Sequence, residues 1–221
     1  WVRQAGSPIA YETWALSSIP KGACGSTTVS ATQTSPQSVG GVINLSTVTT
    51  GCTTPSYRYW DYPSQAGVGL NAVWTMLRDY STTGTYGWNT AGYKPGTQSI
   101  VVHVRQAGST AAYDTDGMIS FSLTGCSSAT LSASPSSPQQ IGSTVMLIAS
   151  SSGCSTPLYQ FWVYQPGLGW SMVQAYSTTA TFNWNTQGII APGTYAWVVF
   201  VKQQGSGSDD DTYALFSDTI S

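Results

Sequence analysis

Short stretches in which apolar and polar residues alternate run along the whole chain, and Gly, Pro, Ser and Asn close off each one. A period of two is the mark of a half-buried β-strand, because successive side chains point to opposite faces. Helical periodicity is nearly absent. In the first half the pattern predicts strands at 27–34, 42–49, 57–62, 72–79, 85–89, 98–106 and 118–123. In the second half it predicts 129–134, 144–150, 159–164, 171–175, 181–185, 195–203 and 213–219. Seven short strands with turn signals between them is the count of an immunoglobulin-like sandwich. Pro95-Gly96 and Pro192-Gly193 read as type II turns, Pro fixing the first central residue and Gly allowing positive φ at the second.

The halves repeat one another. Cys24, Cys52 and Trp60 recur at Cys126, Cys154 and Trp162, each 102 residues later. The string V-R-Q-A-G at 2–6 recurs at 104–108, and in weaker form as V-K-Q-Q-G at 201–205. A fixed internal period means an array of like units. The expected organisation is two complete modules, 22–123 and 124–221, preceded by residues 1–21 as the last two strands of an incomplete one. Between Tyr62 and Trp74 the first copy carries six extra residues, read as a longer loop. Only residues 124–126 and their neighbours separate the modules, so the connection should be stiff. The opening segment leaves two readings: the chain is a window cut from a longer array, or residues 1–20 complete a sandwich supplied by another chain.

Charged residues are 7% of the chain and the net charge is −2, against roughly 25% charged in an ordinary soluble protein. Nothing steers such a chain to nucleic acid or to an anionic membrane surface, and no apolar run is long enough to insert in a bilayer. Weak charge repulsion fits self-association or packing against neighbouring repeats. The four cysteines fall two per copy, with no C-x-x-C pair and a single histidine, His103. That is too sparse for zinc. One disulfide per module, Cys24–Cys52 and Cys126–Cys154, in an oxidising compartment is preferred to free buried thiols. Each would contribute roughly 3 to 4 kcal/mol by the chain-entropy argument.

The third predicted strand reads Tyr57-Arg58-Tyr59-Trp60-Asp61-Tyr62 in one copy and Tyr159-Gln160-Phe161-Trp162-Val163-Tyr164 in the other. One parity holds Phe161 and Val163 and suits a core. The other holds Arg58 or Gln160 together with Trp60 or Trp162. Asp61, on the first parity, and the precedent of a core tryptophan on strand C of immunoglobulin domains argue for the opposite assignment. Both stay open at this point. If the tryptophans face outward, Arg58, Trp60, Tyr62 and His103 form one strip, and Gln160, Trp162, Tyr164 and Phe200 form a second. Trp1 is the counterpart of His103 and Phe200 in the partial copy. Such a strip is a platform for sugar rings or a contact for another chain. Trp88 and Trp184 are expected in the cores, and the Ser and Thr of the repeated Y-S-T-T string are expected to finish turns.

Catalysis finds little support. The equivalent of His103 in the second copy is Phe200, so no histidine site repeats. Asp114 and Asp116, and the run Asp209-Asp210-Asp211, are candidates for weak calcium binding, but a solvated acidic turn is the preferred reading. Asn44-Leu45-Ser46 matches a glycosylation sequon inside a predicted strand. No cofactor and no metal is expected.

The combination Y-R-Y-W…W…D-Y-S-T-T…W-N-T-A-G…P-G-T…V-R-Q-A-G-S resembles a tandem immunoglobulin-like repeat of large secreted or surface proteins of bacteria. It covers both modules and the opening residues 1–7. The resemblance implies an extracellular β-sandwich array and no defined activity, so no catalytic residue carries over. The second copy departs at Lys202 and Gln204, and its acidic loop is expected to be longer. The expectation is a structural segment of an extracellular surface or fibre protein that serves as scaffold, in adhesion or in filament assembly. The alternative is a carbohydrate-binding accessory module that uses exposed aromatics.

Overall fold

The computed structural model describes residues 23–62, 74–188 and 192–221. These residues form two β-sandwiches. The first holds β1 (Thr27–Ala31), β2 (Gln37–Ser38), β3 (Val42–Thr49), β4 (Pro55–Tyr62), β5 (Thr75–Ser81), β6 (Thr85–Asn89), β7 (Gly96–Gln106) and β8 (Thr115–Thr124). Its sheets have the orders β1-β3-β6 and β2-β8-β7-β4-β5. The second holds β9 (Ser128–Ser134), β10 (Thr144–Ser152), β11 (Pro157–Gln165), β12 (Gly169–Ser177), β13 (Thr181–Asn185), β14 (Gly193–Gln203) and β15 (Thr212–Ile220), in sheets β13-β10-β9 and β12-β11-β14-β15. This division of strands between two sheets, antiparallel apart from β2, is the Greek-key arrangement of immunoglobulin-like folds. No sheet takes strands from both copies. The partial module expected at residues 1–21 lies outside the described residues, as does the long loop of the first copy.

The alternation of each strand sets the layers. In β3, Ile43, Leu45 and Thr47 point inward; in β7, Ile100, Val102 and Val104 do so. They meet Tyr57 and Tyr59 of β4, Trp88 of β6 and Phe121 of β8 in one core. Val145, Leu147, Phe161, Val163, Trp197, Val199 and Ile220 build the second. The copies differ by matched exchanges. The buried Tyr59 hydroxyl hydrogen-bonds to Thr47 Oγ1 at 2.7 Å and donates to Gly84 O at 2.7 Å. The second copy has Phe161 and Ala149 at those places, so hydroxyl and partner disappear together. Trp88 is fully buried against Phe121, whereas Trp197 takes the centre of the second core and Trp184 packs at its margin. Asp61 is buried in the first core, with the Tyr93 hydroxyl as its hydrogen-bond partner, where the second core has Val163.

Two details correct the sequence reading. The short β2 is absent from the alternation pattern. The chain crosses between sheets at a cis Ser35-Pro36 bond, and two residues pair in parallel with the end of β8. The Pro-Gly pairs do not form the type II turns expected, although Gly96 itself has φ 140°. Gly92 and Gly188 carry positive-φ turns instead, at φ 85° and 90°. Tyr93 N–H closes the first onto Thr90 O at 3.2 Å, while Gly96 and Gly193 simply open strands.

The cysteines are bonded Cys24–Cys52 and Cys126–Cys154, with Cα atoms 4.5 Å apart in both. β1 pairs with β3, Thr27 opposite Thr49, so a bond from just before β1 to just after β3 staples two neighbours of one sheet. Beside each disulfide lies a buried polar cluster. Asp211 Oδ2 accepts from the N–H groups of Cys126 and Gln203 at 3.0 and 2.7 Å, and Oδ1 accepts from Ser206 at 2.7 Å. Gln203 Oε1 accepts from the N–H groups of Ser155 and Thr156 at 3.0 and 3.1 Å. Asp114 and Gln106 repeat this against Cys24, Ser109, Thr53 and Thr54. Asp211 is therefore an internal acceptor and not part of a solvated acidic turn. Gln and Asp are eight residues apart in both copies, so the acidic loop is not longer either.

The Thr47–Tyr59 pair gives a direct test of this packing. Tyr59→Phe strands the buried Thr47 hydroxyl and should cost about 1–2 kcal/mol. Adding Thr47→Ala, which recreates the pairing of the second copy, should recover most of that loss in a denaturant double-mutant cycle. Asp61 gives a pH test. Burial raises its pKa above the ordinary 3.8, so the ionised carboxylate opposes folding above the raised value, and the penalty vanishes below the unfolded one. Asp61→Asn should stabilise the protein at pH 7, with the gain shrinking on acidification and gone below about pH 3.8. Thermal melts across pH 3 to 8 measure this.

Candidate functional site: two aromatic faces and a glycine junction

Strand β4 settles the parity left open by the sequence. Tyr57, Tyr59 and Asp61 are buried, and Arg58, Trp60 and Tyr62 lie on the outer face. The core assignment for Trp60 and Trp162 is therefore wrong. Asp61 sits inward because Tyr93 is there to meet it. In register, Arg58 lies opposite His103 and Trp60 opposite Val101. Trp60 is 6.1 Å from His103 and 6.5 Å from Trp74, Tyr62 is 4.9 Å from Trp74, and His103 stacks on Tyr113 at 4.2 Å. Trp60, Trp74 and His103 frame a shallow hollow of about 270 Å³. Arg58 is already engaged, bridging to Asp79 at 2.7 Å and lying 4.2 Å over the Tyr80 ring. Burial lowers the pKa of the His103 imidazole, with Asp116 pulling the other way, so the ring is neutral at pH 7.

The second face is built alike and is more apolar. Gln160, Trp162 and Tyr164 alternate outward from β11, with Phe200 opposite Gln160 and Val198 opposite Trp162. Trp162, Trp170, Val198, Phe200, Tyr213 and Leu215 line an open hollow of about 470 Å³. Leu215 is 64% exposed and Tyr213 57%. Gln160 Nε2 lies 3.2 Å from Met172 Sδ. The structure thus gathers the expected residues into two separate strips, one per sandwich, and does not bring them to one site. Trp1 lies outside the described residues. Trp74, Tyr113, Trp170, Tyr213 and Leu215 were not expected in these strips. A signal for two of them is present in the chain: Trp74 and Trp170 each stand six residues before the tyrosine of Y-S-T-T.

That tyrosine has a task of its own. The Tyr80 hydroxyl donates to Ala112 O, and Tyr176 donates to Asp209 O at 2.6 Å. Each pins the loop after β7 or β14, and a cation covers each ring, Arg105 over Tyr80 at 3.9 Å and Lys202 over Tyr176 at 4.5 Å.

The loop held by Tyr176 meets the first sandwich. Gly92 N–H donates to Gly205 O at 2.8 Å, and Gly207 N–H donates to Tyr93 O at 2.9 Å. The approach leaves no room for side chains. A Cβ on Gly207 would stand 2.0 Å from Gly92 O, one on Gly40 would stand 2.4 Å from Gln204 O, and one on Gly125 would stand 2.6 Å from Pro95 Cγ. Val39, Gly40 and Gly41 share a cleft of about 400 Å³ with Ser155, Thr156, Gln203 and Gly205. Among the described residues no group of three or more His, Cys, Asp or Glu side chains could hold a metal ion. No described helix is long and apolar enough to cross a membrane. Asn44, of the sequon, is exposed on β3.

No family model matches the chain, and no curated protein matches it. Among solved structures, it is similar to a tetra-tandem repeat in the extending region of a large adhesion protein, at 14% identity and a TM-score of 0.34, over 90% of this chain and 48% of that one. It is also similar to the N-terminal four Ig domains of Dscam1 isoform 6.44, at 12% identity and a TM-score of 0.30, over 87% and 45%. A third is murine CEACAM1b, at 12% identity and a TM-score of 0.31, over 89% and 99%. The chain spans about half the length of the first two. The immunoglobulin-like character of this chain rests on its own strand order.

Proposed function

We propose that the chain is a structural segment of an extracellular surface or fibre protein, of the bacterial tandem-repeat kind its recurring strings resemble. Its modules are taken to be residues 22–123 and 124–221, one disulfide in each. The observation that carries this reading is the junction. Two main-chain hydrogen bonds and interleaved glycines fix one sandwich on the next, as a spacer requires and a freely jointed pair of binding domains does not. The two disulfides fit an oxidising compartment. No catalytic role is proposed. Gly207→Ala tests the reading, because a methyl group there meets backbone that cannot yield. Small-angle scattering of the native protein should give one fixed distance distribution. The variant, with both cores intact by near-UV circular dichroism, should give a broader one. A broad distribution already in the native protein would overturn the spacer reading.

A second reading has one observation in its favour, the hollow lined by Trp162, Trp170, Phe200 and Tyr213. Flat exposed rings can stack on sugars, with Gln160 beside them to fix a hydroxyl. Its lining is otherwise apolar, so the structural reading is better supported. Titration with cell-wall and plant polysaccharides should quench tryptophan fluorescence in the native protein but much less in Trp162→Ala. No change across the series eliminates carbohydrate binding.

A further inference from the structure

The sheet β12-β11-β14-β15 turns outward a face that lacks the charges of its twin. Across its middle, Met172, Trp162, Val198 and Leu215 lie in register on four neighbouring strands. The first sandwich has Met76, Trp60, Val101 and Met118 in the same row. The next row differs. Arg58, His103 and Asp116 fill it in the first sandwich, with Asp79 paired to Arg58. The second sandwich has Gln160, Phe200 and Tyr213 there, and Ala175 stands in the place of Asp79. Lys202, beyond that row, is held over the Tyr176 ring.

Sandwiches stacked through the glycine junction leave such a face open. With the second sandwich seated on the first, Trp74, Met76 and Met118 of the first are 45%, 49% and 62% exposed. Their counterparts Trp170, Met172 and Leu215 are 48%, 49% and 64% exposed. The face therefore lies on the flank of the stack and not at an end of it. At about 150–250 Å² for an aromatic ring, these three residues with Tyr164 and Tyr213 expose roughly 500 Å² of side chain. With the partly exposed Trp162 and Phe200 beside them, two such faces clear the roughly 1,000 Å² of a specific contact but fall short of the usual ~1,600 Å².

We infer that this face is a lateral docking surface for the same face of a second copy, the two sheets packed against each other about a twofold axis. Across such an axis like meets like, so a charge at the centre would meet its own copy. The second face has no charge there, and the first does. Tyr213 and Leu215, the most exposed residues of the lining, rise at the rim of the 470 Å³ hollow. The axis sets the rim of each copy into the hollow of the other. A sugar would ask for polar groups at the same place, but Trp162 Nε1 is buried and Gln160 Nε2 is turned to Met172 Sδ. The inference rests on the spacer reading only for its purpose, which is to lay spacers side by side. One contact is weak by its area, and contacts repeated along parallel arrays multiply.

The test is analytical ultracentrifugation of the whole chain up to about 1 mM, where native protein should show a weak monomer–dimer equilibrium. Leu215→Lys and Leu215→Glu, changes at an exposed position, should each weaken it about tenfold or more and leave the near-UV circular dichroism unchanged. Mixing the two variants should restore association, because opposite charges then face each other across the axis. Phe200→His with Tyr213→Asp, which gives the second face the residues of the first, should also abolish it. Native protein that stays monomeric at 1 mM overturns the inference, and polysaccharide quenching in that monomer would give the face to carbohydrate. Association unmoved by Leu215→Lys overturns it too, as does a mixture that associates no better than either variant alone. None of these results touches the spacer reading, which is decided within a single chain by scattering at low concentration.

Discussion

A single carboxylate at the disulfide end of each sandwich ties the start of the module to the end of a strand far along the chain and to the loop that follows that strand. Asp211 takes the N–H of Cys126 at the start of the module, the N–H of Gln203 at the end of β14 and the hydroxyl of Ser206 in the loop between. Gln203, 3% exposed, ties in the loop before β11. A buried donor left without a partner costs about 1–3 kcal/mol, and here several share one acceptor group, so the cluster forms as a unit or fails as one. Its consequences run outward. The cysteine it caps is in register for its disulfide. The loop it closes presents Gly205 and Gly207, and those glycines make the junction. In the first copy, the N–H of Gln106 foremost holds the Asp114 pKa below the usual carboxylate range, as expected of an acceptor that serves the folded state.

Much of this architecture was legible before any coordinates. The strands at 42–49, 85–89 and 181–185 follow from alternation alone, since one face of each is buried and the other is wet. The spacing of the cysteines gave a pairing that β1 and β3 then make geometrically natural. What stayed hidden has a common physical cause, that the deciding interaction lies between distant segments. Asp61 looked like a residue for the surface until Tyr93 supplied a buried partner. Asp211 looked like one of three solvated aspartates, although its neighbours Asp209 and Asp210 do not share its contacts. β2 is too short to show a period. The turn at Gly92 hides beside a more conspicuous Pro-Gly. Of the outer strips, the β4 and β11 residues could be named from sequence. Tyr213 and Leu215 could not, because their membership depends on which strand lies beside β14.

The comparison of the two copies shows what the fold holds fixed and what it lets drift. Polar residues in the interior change in pairs or move as groups. Thr47 and Tyr59 become Ala149 and Phe161. A buried carboxylate on β4, Asp61, gives way to one on β15, Asp218, where the first copy has Phe121. The outer faces drift more freely. One keeps Arg58, His103 and Asp116, and the other has traded them for Gln160, Phe200 and an apolar floor. A face under a strict ligand constraint would keep its polar groups; the end clusters do keep theirs, atom for atom.

The bonds that join the two sandwiches run from main chain to main chain, between Gly92 and Gly205 and between Gly207 and Tyr93. None of these atoms ionises, and among the described residues no ion pair spans them for salt to screen. With so few charged side chains in the chain, the attachment has almost nothing through which ionic strength could act on it. A material built on such contacts would be as firm in rainwater as in brine, which a joint made of ion pairs could not be.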